Sequence, residues 1–367
     1  MSPRWKERLR WTNLWPVVGL LLLALIPILP VGRSEGHWLT LQDWLSNLAD
    51  RPIGSDLSNL FIYCIVALGL NVVVGYTGLL HLGIAAFFGI GAYLTGILTI
   101  AANPFHWGFL PTVAAATLGA AAAGIVLGAP TLRLTGDYLA LVTLGFGEVV
   151  RFTLRNLEEL TGGTKGLSPV PPPTSGVQNG GAFDWAGDYR LFYYLLLAAL
   201  VLVLIVLRNL ERSRSGRSWM ALREDELAAS CMGINPLRVK MVAFALGAGL
   251  AGLAGCLYAY KFSGTQQPDT YDFNHSITFL CCIILGGLGS LRGTVIGVFL
   301  LLGFDNILAP ILDAAIQHAS ANNGSNPLLT FNNWRFLMFG LALILMMRFR
   351  PEGLFPSRTM QEELHRG

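Results

Sequence analysis

Residues 57–132 read LSNLFIYCIVALGLNVVVGYTGLLHLGIAAFFGIGAYLTGILTIAANPFHWGFLPTVAAATLGAAAAGIVLGAPTL, and none of them is Asp, Glu, Lys or Arg. A bilayer span takes about 20 apolar residues, so this stretch has room for three. Turn chemistry separates them at Gly75-Tyr76-Thr77-Gly78 and at Asn103-Pro104. A soluble domain typically carries about 25% charged residues. The whole chain of 367 residues carries only 13%, with 53% hydrophobic residues and a mean hydropathy of +0.54. It lacks the polar groups to cover a water-facing surface. The chain therefore reads as an all-α integral membrane protein, a polytopic helical bundle.

Working outward from that block, ten transmembrane spans are expected. They lie at about 14–31, 57–75, 83–101, 109–131, 137–155, 189–207, 240–260, 273–290, 293–310 and 333–348. Glu148 and Asp305 interrupt the fifth and ninth. The first 30 residues share features with a signal peptide, with Arg4, Lys6, Arg8 and Arg10 before an apolar run. That run is long for such a segment and no A-x-A-like site follows, so a retained first helix is predicted. With the N-terminus inside, 17 of the 25 basic residues fall on the inner side. Cytoplasmic loops carry this bias. Both termini and the loop 208–240 are then cytosolic, and the loop 156–189 is external.

The net charge of +3 matters less than where the charges sit, and no nucleic-acid partner is expected. Cys64, Cys231, Cys256, Cys281 and Cys282 show no metal-ligand spacing, and no two share an outer loop. Neither a disulfide nor a metal site is predicted.

The inner loop is the most informative segment. SWMALREDELAASCMG at 218–233 has helix-forming residues, a charged middle and a terminal Gly suited to the position just past a helix end. Trp219, Leu222, Ala229 and Met232 recur as a narrow apolar stripe. Such a helix could rest on the membrane surface. Glu224, Asp225 and Glu226 would be repelled by anionic lipid, which favours docking to a partner protein.

Within the spans, Glu148 is expensive, because a carboxylate at membrane depth costs a few kcal/mol and faces a cavity or a partner. Arg151 is its neighbour at i+3. A structural ion pair near the outer boundary and a substrate contact both fit. Asn71, Thr77 and His81 lie in or beside the charge-free block, as interhelical hydrogen-bonding groups or as pathway residues. LGGLGSLRG at 285–293 is a glycine-rich break between two spans. No strand precedes it and no Gly-Lys-Ser/Thr follows, which excludes a phosphate-binding loop. Irregular backbone at membrane depth is tolerated where it lines a cavity or is buried in protein, so Gly286, Gly287 and Gly289 are pathway candidates. Small-residue spacings such as Gly252…Cys256 and Gly293…Gly297 suit close helix packing. There is no nucleophile–base constellation, so neither catalysis nor a cofactor is expected.

Several segments together resemble the LivM-type permease subunit of the branched-chain amino acid ABC transporter family. They are GLNVVVGYTGLL (69–80), YLALVTLGFGE (138–148), TGGTKGL (161–167), ALREDE (221–226), MGIN (232–235), LGGLGS (285–290) and RFRPEGL (348–354). The resemblance runs in order from about 57 to 355. It implies a permease domain over 57–355; hydropathy and charge put an N-terminal segment 1–56 with the first helix and an external loop before it, and a cytosolic tail 356–367 after it. It also implies a bacterial inner-membrane importer of leucine, isoleucine and valine. The implied partners are a LivH-type permease in a heterodimer, two ATP-binding cassette ATPases and a periplasmic or lipid-anchored binding protein, within membrane lipid. The helix from Arg223 to Gly233 would dock onto an ATPase through Arg223, Glu224, Asp225, Glu226, Ala228, Ala229 and Gly233. Importers of this kind carry Glu-Ala-Ala-x-x-x-Gly there. This chain has Leu227-Ala228-Ala229 before Gly233, with the acid shifted to Glu226. Residues 1–56 and 311–332 carry no matching motif.

Three rival functions remain open at this point. An ion-driven secondary transporter would use Glu148 and Asp305 and would not need the charged 208–240 loop. A passive pore for a small polar solute is the second. Within the resemblance, permeases for urea and short amides are the third, although the glycine-rich break and the RPEGL segment look more like the amino-acid branch.

Overall fold

The computed structural model describes residues 30–34, 37–40, 53–100, 105–131, 136–173 and 189–311, with scattered residues between 334 and 355. A short antiparallel hairpin comes first, β1 (Pro30–Ser34) with β2 (His37–Thr40). The bundle that follows is all-α, as expected; this hairpin departs from the expected first span in that its last residues, 30 and 31, lie in a strand. Pro30 opens its strand, where a missing N–H is tolerated, and a bulge between Pro30 and Gly32 lets the ladder resume. The rest of the expected 14–31 span lies outside the described residues.

The bundle follows. α1 (Ile53–Asn71) continues through a π turn (Val72–Tyr76), and α2 (Ile84–Thr99) and α3 (Phe109–Thr131) come next. α4 (Asp137–Asn156) leads to the short α5 (Glu158–Thr161). α6 (Tyr189–Glu211) precedes α7 (Arg214–Glu224) and α8 (Glu226–Cys231). α9 (Pro236–Lys261), α10 (Phe273–Gly286) and α11 (Leu291–Gly303) follow, the last continuing through a second π turn (Phe304–Leu308). Five stretches among the described residues are long and apolar enough to cross a membrane: Gly54–Tyr76, Phe109–Thr131, Arg190–Glu211, Pro236–Lys261 and Leu291–Ile311. α2 and α10 are apolar but shorter. α4 has the length, yet it carries Asp137, Glu148, Arg151 and Arg155. Of the expected span 333–348, only scattered residues are described, among them the helical Trp334, Leu337 and Leu341.

α9 is the central helix, packed on α1, α2 and α3. Lipid tails are as apolar as side chains, so helices associate here by close contact rather than by escape from water. Small residues make that contact possible. A Cβ on Gly91 would overlap the Gly252 backbone, and one on Gly255 would overlap the Phe88 carbonyl. α3 turns Thr112, Ala116, Ala120, Gly124 and Gly128 inward and leaves Leu110, Leu118 and Val126 exposed. That outward face suits lipid.

The helix directions give the bundle two polar ends. α7 and α8 lie at one, beside the end of α1 and the start of α9. At the other, the loop after α5 pairs with the connection from α9 to α10. Thr265 N–H donates to Leu167 O (2.9 Å), Leu167 N–H to Thr265 Oγ1 (2.8 Å) and Val170 N–H to Ser263 O (3.0 Å).

Candidate functional site

Ser213 caps α7, its hydroxyl accepting from Gly216 N–H. Trp219 is buried, donates Nε1–H to Val239 O (3.0 Å) and stacks on Tyr76 with centroids 6.4 Å apart. Arg223 donates Nη1–H to the Gly75 carbonyl at 2.5 Å.

The single helix expected from Arg223 to Gly233 is in fact broken. Asp225 adopts extended backbone (φ −155°), and its Oδ1 accepts from Leu227 N–H (2.8 Å) and Ala228 N–H (3.0 Å). An acid at this position satisfies the otherwise unpaired first N–H groups of a new helix, which makes Asp a start signal rather than a mid-helix residue. Glu226 then pairs with Lys240 of α9. Gly233 ends the unit at φ +83°, with Ile234 N–H donating back to Ala229 O (3.2 Å), and Asn235 caps α9.

The apolar stripe also needs correcting. Trp219, Leu222 and Ala229 are buried and face the bundle, so they anchor the unit. The outward apolar residues are Met232, 83% exposed, and Leu227, 75% exposed, beside exposed Glu224, Asp225 and Ala228. Leu227 was not singled out in the sequence. Its signal is its offset from the buried Ala229 on a short helix, readable only once the break at Asp225 is known.

Asn71, Thr77, His81, Gly286, Gly287 and Gly289 are all buried, at the α7–α8 end. Asn71 Oδ1 accepts from Gly289 N–H at 3.0 Å. Thr77 Oγ1 bonds back to Val73 O (2.6 Å). His81 sits in a pocket with Phe87, Leu127, Thr143, Phe146 and Phe244, edge-on to Phe244 at 4.7 Å. Its loop is tied down by Leu82 N–H to Thr143 Oγ1 and Ala85 N–H to Ser276 Oγ, both 3.1 Å. The glycine break is clamped from the far end of the chain. Leu354 N–H donates to Leu285 O (3.0 Å) and Phe355 N–H to Gly286 O (2.9 Å). The LGGLGS and RFRPEGL segments, distant in sequence, therefore touch.

Glu148 stands apart, at the opposite end. Arg151 Nη2 lies 2.8 Å from Glu148 Oε2, and its Nη1 lies 2.6 Å from Asp269 Oδ1. The i+3 ion pair is present, and Asp269 extends it to the α9–α10 connection. Nearby Asp272 caps α10, accepting from His275 N–H. Burial raises its carboxyl pKa, but hydrogen bonds from the His275 ring and backbone and from Asn274 outweigh burial and hold it below the usual value of 3.8. Among the described residues, no group of His, Cys, Asp and Glu is placed to hold a metal ion.

Residues 55–347 match the family described as the permease component of branched-chain amino acid transport systems. The high-affinity branched-chain amino acid transport system permease protein LivM of Escherichia coli K12 is 41% identical over 323 residues, covering 83% of this chain and 70% of the relative. A probable LivM permease of Methanocaldococcus jannaschii is 26% identical, covering 82% of this chain and 92% of its own. The permease protein LivH of E. coli is 28% identical over 65% of this chain and 79% of its own length. No solved structure matches. With the match running through the bundle from α1 onward, this chain belongs to the family of branched-chain amino acid transport permease components, which are membrane transport subunits rather than enzymes.

Proposed function

We propose that this chain is the membrane-spanning permease of an ATP-driven importer of leucine, isoleucine and valine. It forms half of the pathway beside a LivH-type permease, and its similarity to E. coli LivH supports a partner of the same fold. Two ATPases dock at the α7–α8 end and a binding protein at the other. The observation that carries the ATP-driven reading is α8: a short helix, capped by Asp225 and pinned by Glu226, that presents Leu227 and Met232 to the outside. Arg223, Glu224, Ala228, Ala229 and Gly233 shape the same coupling unit.

In the orientation of this reading, ten spans leave both termini cytosolic. Its support is the charge on the α7–α8 end, where Arg208, Arg212, Arg214, Arg217 and Arg238 gather. Glu148 with Arg151 and Asp269 then stands at the outer mouth. Asn71, Thr77, His81, Gly286, Gly287 and Gly289 form the inner gate. Reconstitution tests the function. Liposomes holding both permeases, the ATPases and the binding protein should accumulate leucine only with ATP, and this chain alone should not. Accumulation by this chain under a proton or sodium gradient alone would replace this reading with a secondary transporter.

A further inference from the structure

Three segments that lie far apart in sequence converge behind α7. Gly75, in the π turn at the end of α1, offers its carbonyl to Arg223 at 2.5 Å. Asn71, one turn earlier and wholly buried, accepts from Gly289 N–H at 3.0 Å. A Cβ on Gly75 would overlap both Asn71 Oδ1 and Gly289 N. The π turn and the α10–α11 glycine break therefore meet with no room for a side chain at Gly75, and the Arg223 side chain joins the coupling unit to them.

Two atoms of this junction are unsatisfied among the described residues, Tyr76 Oη in the π turn and Asn71 Nδ2. A backbone N–H can only donate, so Gly289 holds Asn71 Oδ1 toward itself and turns Nδ2 away. That Nδ2 is buried and has no hydrogen-bond partner among the described residues. Buried polar groups are nearly always paired, and an exception marks strain or a partner supplied elsewhere. The π turn supplies a way to move. It holds one residue more per turn than an α-helix and is frequent at functional positions. Returning it to α register shifts Asn71 relative to Gly75.

We infer that Asn71, Gly75 and Arg223 form a relay that converts displacement of α7–α8 into movement of the glycine break between α10 and α11. Asn71 is a positioning residue in it. The inference rests on the coupling role proposed above. In the state described, Arg223 holds the π turn through the Gly75 carbonyl, and Asn71 holds Gly289. Gly287 (φ +117°) and Gly289 (φ +74°) keep the break in backbone that other residues avoid, and glycine leaves it free to take another shape. When α8 is drawn away, Arg223 releases Gly75, the π turn shifts, and Asn71 lets go of Gly289. Its Nδ2 then takes an acceptor in the second state.

The test uses the full complex in proteoliposomes, with leucine as the probe. Asn71→Leu keeps the shape and removes both polar atoms, and Arg223→Met removes the donor. Each should cut ATP-driven uptake by at least about tenfold at unchanged complex yield and raise the ATP hydrolysed per leucine moved. The double variant should be no worse than the poorer single, because residues acting as one unit are non-additive. Arg223→Lys, which keeps one donor, should recover part of the uptake. Wild-type uptake and ATP ratio in Asn71→Leu would overturn the relay, as would losses that multiply in the double variant. If Asn71→Leu lowers only the yield, the wild-type ATP ratio in Arg223→Met overturns it. Leu227→Glu separates the two readings. If it abolishes uptake while Asn71→Leu and Arg223→Met do not, only the relay fails; if it has no effect, the docking role of α8 fails as well.

Discussion

Lys240 Nζ lies 2.7 Å from both carboxylate oxygens of Glu226, so the first residue of α8 is tied to the second turn of α9. The ammonium side chain is 5% exposed and the carboxylate side chain 47%. Removing one partner of a fully buried pair costs about 3–5 kcal/mol. Solvent reaches Glu226, so Glu226→Gln is expected to lose about 1–2 kcal/mol. Thermal unfolding of the purified protein in detergent measures this. Glu226→Met with Lys240→Met should recover most of the loss. An unchanged midpoint for Glu226→Gln would mean the pair does not clamp α8.

Gly233 sits at φ +83°, and a Cβ there would meet nothing within 4 Å. Any penalty is therefore backbone strain alone. Gly233→Asn should be tolerated, because Asn accepts left-handed backbone, whereas Gly233→Val should cost about 1–2 kcal/mol and distort the end of α8. Leucine uptake by the reconstituted complex should fall sharply for Val and little for Asn. Equal behaviour of the two variants would show that the positive φ is not what matters.

Asp225 supplies two hydrogen bonds to the start of α8. Asp225→Ala should release about 0.5–2 kcal/mol of helix stability, and Asp225→Ser should keep most of it. Hydrogen exchange at the Leu227 and Ala228 amides reads this directly, with up to roughly thirtyfold faster exchange expected in the Ala variant. Protection equal to wild type would remove the capping role.

Asp272 has a depressed carboxyl pKa, held down against burial by His275 and Asn274. Its contribution to the folded state is present above the unfolded value and disappears as pH falls through the lower folded one. The stability advantage of wild type over Asp272→Asn should therefore be constant at neutral pH and shrink only below the ordinary value of 3.8. Detergent unfolding midpoints across that range test it. An advantage that shrinks between pH 7 and 5 would contradict the sign.

Cys231 is exposed on α8, while Cys64, Cys256, Cys281 and Cys282 are buried. A membrane-impermeant maleimide should label the wild-type chain in inverted vesicles and spare it in intact cells. Glu159→Cys, on exposed α5, should add labelling from outside. The reverse pattern would invert the orientation.

Much of this protein was readable from local sequence. The charge-free stretch 57–132 required membrane helices, because the cost of placing charge in lipid depends only on what a segment of span length contains. α1–α4, α6 and α9–α11 consequently lie where hydropathy and turn residues put them. Gly233 was legible as a helix end for the same reason, since a helix terminus is set by a few neighbouring residues. The i+3 spacing likewise brought Arg151 to Glu148, whereas Asp269 came from another connection.

What tertiary structure decided was which of these elements touch. Asn71 finds Gly289 across 218 residues, and Leu354 closes onto Leu285. In an apolar solvent helix association depends on shape, so which glycine meets which backbone is a property of the packed bundle. The direction of the apolar stripe was decided the same way. Periodicity put Trp219, Leu222, Ala229 and Met232 on one face, but the packed neighbours Tyr76 and Val239 show that Trp219 points inward, while Met232, beyond the break at Asp225, is 83% exposed. Sequence determined what had to lie in the membrane; packing chose the contacts, because those depend on surfaces that exist only after the helices have come together.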